Sequence, residues 1–218
     1  MRRRARPYWP SVDGERRAQP TASSESTSTT PEESLRYLNG YPERITAWAR
    51  ELVERERLGD HLRERYPEPH EINNNKLLRR YTQEIKSEYL RSSPTLAKVC
   101  FDAKLHLVQH ALGTHTLISR QHGNRLKAKR ELRISSLFKR CPEPLLRMIV
   151  VHELAHLRER EHNAAFYQLC VHMEPAYHQL ELEARLYLIQ RELYGPLYPA
   201  LTPALTPPLS PPASPQST

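Results

Sequence analysis

The spacing of apolar residues predicts two amphipathic helices in the first half of the chain. Beyond Asn39-Gly40, apolar side chains recur from Ile45 to Val53 with the period of an α-helix that buries one face. Pro42 suits the first turn of this helix. A second run with the same period extends from Leu78 to Tyr89, and Pro94 follows it. We expect both helices to pack against a core and to carry no chemistry.

Short strands are predicted in the middle of the chain, where the helical period gives way to a period of two. Four segments have this character, and the last two are predicted to form a hairpin: 96–101, 105–108, 114–121 and 126–136. The hairpin turns around His122-Gly123-Asn124. In its second arm apolar residues alternate with charged ones, and Arg130 is the one charged residue on the apolar face.

Two more helices are predicted in the last third of the chain. One begins near Leu145, after Cys141-Pro142-Glu143-Pro144 has interrupted the strand pattern. The other covers an amphipathic run from Tyr177 to Leu193 and ends at Gly195-Pro196. Helices on both sides of a group of strands indicate an α+β fold.

Both ends of the chain have the composition of segments that do not fold. The start combines several arginines with the polar sequence TASSESTSTTPEES, and the end is rich in Pro, Ser and Thr. These features divide the chain into a disordered tail, a helical segment, an α+β domain and a Pro-rich disordered tail, at residues 1–33, 34–93, 94–195 and 196–218.

Composition and charge indicate the environment of the protein more than its activity. The chain has 218 residues, of which 33 are Lys or Arg and 25 are Asp or Glu, so its net charge is +8; this fits solubility or an anionic partner. Three cysteines without a CxxC pair argue against a disulfide framework. No apolar run approaches the roughly 20 residues of a membrane helix, and none follows the basic start as in a signal peptide. We expect a cytoplasmic protein with no membrane partner.

The segment LLRMIVVHELAHLREREHNAAFYQL, residues 145–169, contains the candidate chemistry. On an α-helix His152 and His156 lie about 40° apart around the axis and one turn apart along it. Both imidazoles can therefore reach one metal ion, and Glu153 lies to one side, where its carboxylate can meet a water molecule. Residues 152–156, with the sequence HELAH, form the H-E-x-x-H arrangement of zinc hydrolases.

The residues around this motif strengthen the prediction of a metal site. The apolar run from Leu145 to Val151 indicates a buried helix, and buried polar side chains need partners. His162 can supply a third imidazole if the helix ends near Arg158–Glu161, because a continuous helix would turn His162 away from the pair. The pattern thus predicts zinc bound by His152, His156 and His162.

The stretch VVHELAHLREREHNAAFYQL, with SLFKRCPEPLLRMI before it and MEPAY after it, resembles the YgjP-like metallopeptidases. A looser similarity extends to SprT-like proteases and other small zincins. The resemblance covers roughly residues 120–194. It implies a minimal zincin core at 94–195, in which a small antiparallel sheet lies beside the motif helix. It also implies zinc bound by the three histidines, with Glu153 as the general base.

The activity implied by this resemblance is the hydrolysis of a peptide or protein substrate by a water molecule that the zinc activates. Glu153 accepts a proton from the water and delivers it to the leaving amine. Tyr177, His178 and Arg185 are candidates for stabilising the oxyanion, but a packing or surface role is the favoured interpretation of each. The arm 126–136 is the candidate edge strand to which an extended substrate would add.

A second hypothesis, nucleic-acid binding, rests on basic residues and remains open. From Arg120 to Arg147 the chain is rich in Lys and Arg, with Glu131 and Glu143 as the acidic residues, and its start is also basic. Contacts with phosphates would explain these charges. The chain would then be a nucleic-acid-associated binding protein with a structural zinc, or a protease recruited to DNA.

Overall fold

The computed structural model of the chain describes residues 29–103, 105, 113–122 and 125–198. For residues 113–122 and 125–129 it describes the backbone alone. The described residues form the predicted α+β fold, in which a small sheet lies between two groups of helices. Most of both predicted disordered tails, at 1–28 and 199–218, lies outside the described residues, as do residues 106–108 of the predicted strand 105–108.

Four helices precede the sheet, with a 3-10 turn at Leu35–Leu38 after the first of them. They are α1 (Pro31–Ser34), α2 (Glu43–Glu54), α3 (Leu58–Arg65) and α4 (Asn75–Tyr89). The two predicted helices correspond to α2 and α4, whereas α1 and α3 were not predicted. The expected tail at 1–33 therefore ends too late. Thr30 caps α1 by accepting from the Glu33 amide, and the Glu33 carboxylate accepts from the Thr30 amide in return.

The sheet has three strands in the order β1-β3-β2. Their bounds are Leu96–Asp102 for β1, Gly113–His122 for β2 and Arg125–Ser135 for β3. The pair β2-β3 is the predicted antiparallel hairpin, but β1 runs parallel to β3. The expectation of an antiparallel sheet is therefore corrected to a mixed one. The expectation that arm 126–136 is an edge strand is wrong, because β3 is central and is hydrogen-bonded on both sides.

Three helices follow the sheet, after a 3-10 turn at Ser136–Arg140. They are α5 (Glu143–Ala155), α6 (Ala164–Met173) and α7 (Tyr177–Leu193), and α7 has the predicted bounds. Helix α5 contacts β2 and β3 of the sheet and also the helices α4, α6 and α7. This position explains why its sequence is apolar on nearly all sides. Within the described residues, every helix is too short or too polar to cross a bilayer.

One hydrophobic core extends across the described residues and includes side chains from both 34–93 and 94–195. It also includes Leu197 and Tyr198, which are 2% and 6% exposed. The hydroxyl of Tyr198 donates to the carbonyl of Tyr66 at 2.7 Å. The predicted tail at 196–218 therefore begins too early, since an apolar and an aromatic side chain still find a place in the core beyond Pro196.

Candidate metal centre

Three histidine side chains converge at the carboxyl end of α5. The ring centroids of His152, His156 and His162 lie 4.9–5.1 Å from one another. One ligand atom from each ring lies within 4.8 Å of the others, so the three could hold a metal ion. The Nε2 atoms of His152 and His162 are 3.2 Å apart. Two nitrogens bound to one tetrahedral zinc lie about 3.3 Å apart, so the donor set fits such an ion.

His162 can approach His152 and His156 because α5 ends well before it. This end lies nearer to His156 than predicted. The helix stops at Ala155, and His156 still has helical dihedral angles as its C-cap. A turn at 156–158 follows, and a backbone hydrogen bond from the Asn163 amide to the Glu161 carbonyl closes the segment before α6. Asn163 starts α6 by accepting from the Phe166 amide at 2.9 Å. No residue described between Ala155 and Asn163 has a positive φ, so the turn needs no glycine.

Hydrogen bonds at the Nδ1 atoms orient two of the rings. His156 Nδ1 lies 3.0 Å from the carbonyl oxygen of Glu159, which can only accept, so Nδ1 carries the proton and Nε2 has its lone pair free. His152 Nδ1 lies 2.6 Å from the hydroxyl of Tyr177, a fully buried side chain at the start of α7. In both rings Nδ1 is thus engaged in a hydrogen bond, and Nε2 remains available on the side of the ring that approaches His162.

One aromatic ring lies against all three imidazoles. Phe166 is fully buried in α6, and its centroid lies 5.0 Å from that of His152 and 4.7 Å from those of His156 and His162. These distances are typical of packed aromatic pairs. Phe166 therefore forms an apolar floor that restricts the tilt of each imidazole ring.

The surroundings of the three imidazoles favour their neutral form. Burial lowers the pKa of His152 well below its ordinary value, and the nearby His156 and His162 lower it further. Burial also lowers the pKa of His156. For His162, the most exposed of the three, loss of hydration and the neighbouring His156 lower the pKa. Neutral imidazole is the form that binds a metal, so the site needs no deprotonation before an ion enters.

Glu153, which follows the first histidine, is a buried acid. Its residue exposure is 1%, and its Oε2 has no hydrogen-bond partner among the described residues. Burial raises the pKa of its carboxyl from 4.5 to about 8. A buried oxygen without a hydrogen-bond partner destabilises the fold unless a water molecule or a substrate donates a hydrogen bond to it. The pKa near 8 also allows the carboxyl to take up and release a proton around neutral pH.

Arg130, the charged residue on the apolar face of β3, has a local structural role. Its guanidinium donates to the carbonyl oxygen of Leu157 at 3.0 Å. That carbonyl lies just beyond the end of α5 and directly after His156. The arginine thus satisfies an acceptor where the chain leaves the helix. Arg130 interrupts the alternation of apolar and charged residues along β3. This interruption is the feature of the sequence that could have linked β3 to the site.

The three candidates for oxyanion stabilisation do not all face the histidine cluster. Tyr177 is fully buried and contacts His152 from the Nδ1 side, away from Nε2. Arg185 donates to Glu181 and to the carbonyl of Tyr37 within the core. His178 is exposed and lies against the ring of Tyr177, at a centroid distance of 5.4 Å. The described contacts of Tyr177 and Arg185 therefore agree with a packing role and do not support a role in stabilising the oxyanion.

A buried H-E-x-x-H helix, with a third histidine returned to it by the following turn, is the arrangement of metal-dependent hydrolases. The family model for the YgjP-like metallopeptidase domain matches residues 14–185, which is most of the chain. The chain belongs to this family, as its sequence resemblance implied. Its membership supports an enzyme of the hydrolase class.

The chain is also similar to a bacterial protein of named activity. A UTP pyrophosphatase of Escherichia coli (strain K12) is 54% identical over 160 residues, which are 73% of this chain and 96% of that protein. No solved structure matches the chain. The name of this relative differs from the peptidase activity that the family description suggests, so the two suggest different substrates.

Proposed function

We propose that this protein is a zinc-dependent hydrolase of nucleoside triphosphates, which cleaves the bond between the α- and β-phosphates and releases pyrophosphate. The observation that carries the proposal is the convergence of three imidazoles next to a buried glutamate. The choice of substrate rests on the 54% identity to the UTP pyrophosphatase of E. coli, nearly all of which this chain covers.

We assign His152, His156 and His162 as the zinc ligands. Imidazole nitrogens suit Zn²⁺, whereas Mg²⁺ prefers oxygen donors. Three protein ligands leave a fourth position of a tetrahedral ion open, as catalytic sites require. Zinc bound there would supply a Lewis acid and bring the pKa of water towards about 7.

Glu153 is the proposed general base. Its free Oε2 accepts a proton from the water as the water oxygen forms a bond to the α-phosphorus. The bond between this phosphorus and the bridging oxygen breaks, and its electron pair leaves with pyrophosphate. The apolar residues around α5 keep the carboxylate poorly hydrated, which makes it a stronger base once it is ionised.

Peptide hydrolysis is the second candidate, favoured by the family description and by the H-E-x-x-H motif. The same base would then deliver its proton to a leaving amine. An extended peptide needs an open sheet edge. Since β3 is central, we assign that role to β2, which pairs with β3 and with no other described strand.

Nucleic-acid binding, the remaining alternative, has weaker support from the described part of the basic stretch. Arg133 is paired with Asp102 at 2.7 Å and with Glu131 at 2.8 Å, so its charge is largely compensated. Binding to single- and double-stranded DNA at two salt concentrations tests this alternative. Affinity that is negligible even at low salt would exclude it.

The decisive experiment compares wild type with Glu153→Gln and His152→Ala. Purified wild type should contain about one zinc per chain, lost in His152→Ala but kept in Glu153→Gln. Each protein is incubated with UTP, the other nucleoside triphosphates and a peptide library. Glu153→Gln should lower hydrolysis by at least about 100-fold.

Matched controls distinguish the assigned roles from general damage. Glu161→Gln makes the same change at an exposed position of the turn, and His172→Ala removes an exposed histidine from α6. Both should keep zinc and activity. Pyrophosphate release supports the nucleotide proposal, and peptide cleavage alone supports the second candidate. Full activity in Glu153→Gln would eliminate the proposed base.

A further inference from the structure

Tyr177 lies behind the histidine cluster and touches one of its members. It is the first residue of α7, is fully buried, and has its hydroxyl 2.6 Å from His152 Nδ1. The Nε2 atom of the same ring points towards His162, at 3.2 Å. The tyrosine thus contacts the nitrogen of His152 that does not face His162.

We propose that Tyr177 is a positioning residue of the metal site: its hydroxyl accepts from the Nδ1–H of His152, which orients this ring to bind a metal through Nε2. The inference rests on the metal site proposed above. It concerns the affinity for the ion and holds whichever substrate the enzyme hydrolyses.

The direction of this hydrogen bond follows from the ligand atom. A neutral imidazole carries one proton, so a ring that offers the lone pair of Nε2 holds its proton on Nδ1. The tyrosine oxygen must then accept from the Nδ1–H of His152.

A comparison with His156 shows why the side chain matters at His152. His156 is oriented by the backbone carbonyl of Glu159, which no substitution removes. His152 depends on a side chain that reaches across from another helix. Groups that orient a metal-ligating histidine typically contribute about 10–100-fold to metal affinity. Loss of the hydroxyl of Tyr177 should therefore weaken the site without touching a ligand.

The test compares Tyr177→Phe with Tyr187→Phe. Tyr187 lies on the same helix, is also fully buried, and donates its hydroxyl to the carbonyl of Leu137 at 3.1 Å. Each variant loses one buried hydroxyl and one hydrogen bond, so both should lose a similar amount of stability. Metal-free proteins are titrated with Zn²⁺ against a chromophoric chelator, and their Co²⁺ absorption spectra are recorded.

Tyr177→Phe should bind Zn²⁺ about 10–100-fold more weakly than wild type and show an altered Co²⁺ spectrum. Tyr187→Phe should remain within about twofold of wild type on the same reasoning. Wild-type affinity in Tyr177→Phe, or equal weakening in both variants, would overturn the inference. Failure of all three proteins to bind zinc would instead refute the metal site itself.

A second measurement needs no variant and covers the case in which Tyr177→Phe does not fold. In zinc-loaded wild type labelled with ¹⁵N, the His152 ring should show a protonated, slowly exchanging Nδ1 and a metal-bound Nε2. The opposite assignment of the two nitrogens would overturn the inference.

Discussion

Replacement of the proposed base should make the metal-free protein more stable. Glu153 is buried, and burial raises the pKa of its carboxyl from 4.5 to about 8. Between these two values the unfolded chain has lost this proton while the folded chain retains it. Wild-type stability therefore falls as pH rises from 4.5 to about 8 and is then constant with respect to this group.

The magnitude follows from the width of that interval. Each pKa unit corresponds to about 1.4 kcal/mol. The raised pKa of Glu153 therefore lowers the free energy of unfolding of the metal-free protein by about 3 kcal/mol at pH 7. Glutamine has nearly the same shape and does not ionise. Glu153→Gln should thus raise the free energy of unfolding by up to about 3 kcal/mol at pH 7 and by much less at pH 5.

The assay is urea unfolding of metal-free wild type and Glu153→Gln at several pH values between 5 and 8. The matched control is Glu183→Gln, because Glu183 is equally buried but accepts from Tyr66 and Gln179 and pairs with Arg65. That variant should be less stable than wild type, by about 1–3 kcal/mol. A loss of stability in Glu153→Gln at pH 7, or a difference from wild type that does not change with pH, would refute the reasoning.

Two further predictions concern residues that support the fold and the site. His70 Nε2 lies 2.8 Å from the carbonyl of Phe138, and its Nδ1 accepts from the Ile72 amide. Burial lowers the pKa of this ring. Neutral His70 thus stabilises the fold above about pH 6.5, and this contribution is lost as pH falls. His70→Gln should therefore show a smaller loss of unfolding free energy between pH 7 and pH 5 than wild type, and an unchanged loss would contradict this. Phe166→Leu and Phe138→Leu should each cost about 1–2 kcal/mol, since both rings are fully buried. Only Phe166→Leu should also weaken zinc binding in a chelator competition, so equal affinities in the two variants would show that the floor under the histidines has no influence on the site.

At Glu153 the stability of the fold and the proposed catalytic role oppose each other. A carboxyl that keeps its proton until about pH 8 destabilises the metal-free fold at pH 7. The same burial makes the carboxyl suitable for exchanging a proton with water. A residue that lowers stability and has no hydrogen-bond partner for Oε2 among the described side chains is expected at a catalytic position.

The sequence alone predicted much of the fold because local periods are properties of neighbouring residues. Helices α2, α4 and α7 followed from apolar spacing, and the bounds of α7 were correct. The apolar run before the motif indicated a buried helix, which α5 confirms. The candidate site was also predictable in part, since His152 and His156 share one face of any α-helix. The short helices α1, α3 and α6 were missed because one to three turns give too few apolar repeats.

Only the tertiary structure decided which distant segments lie next to each other. A period of two reveals the two faces of a strand but not its neighbours, so the parallel pairing of β1 with β3 could not be read from the sequence. The contact between Tyr177 and His152 joins residues 25 positions apart, and the one between Arg130 and Leu157 joins residues 27 apart. Such contacts depend on how α5, α7 and the sheet pack together. The sequence therefore determined which histidines can meet, while packing determined which residues orient their rings.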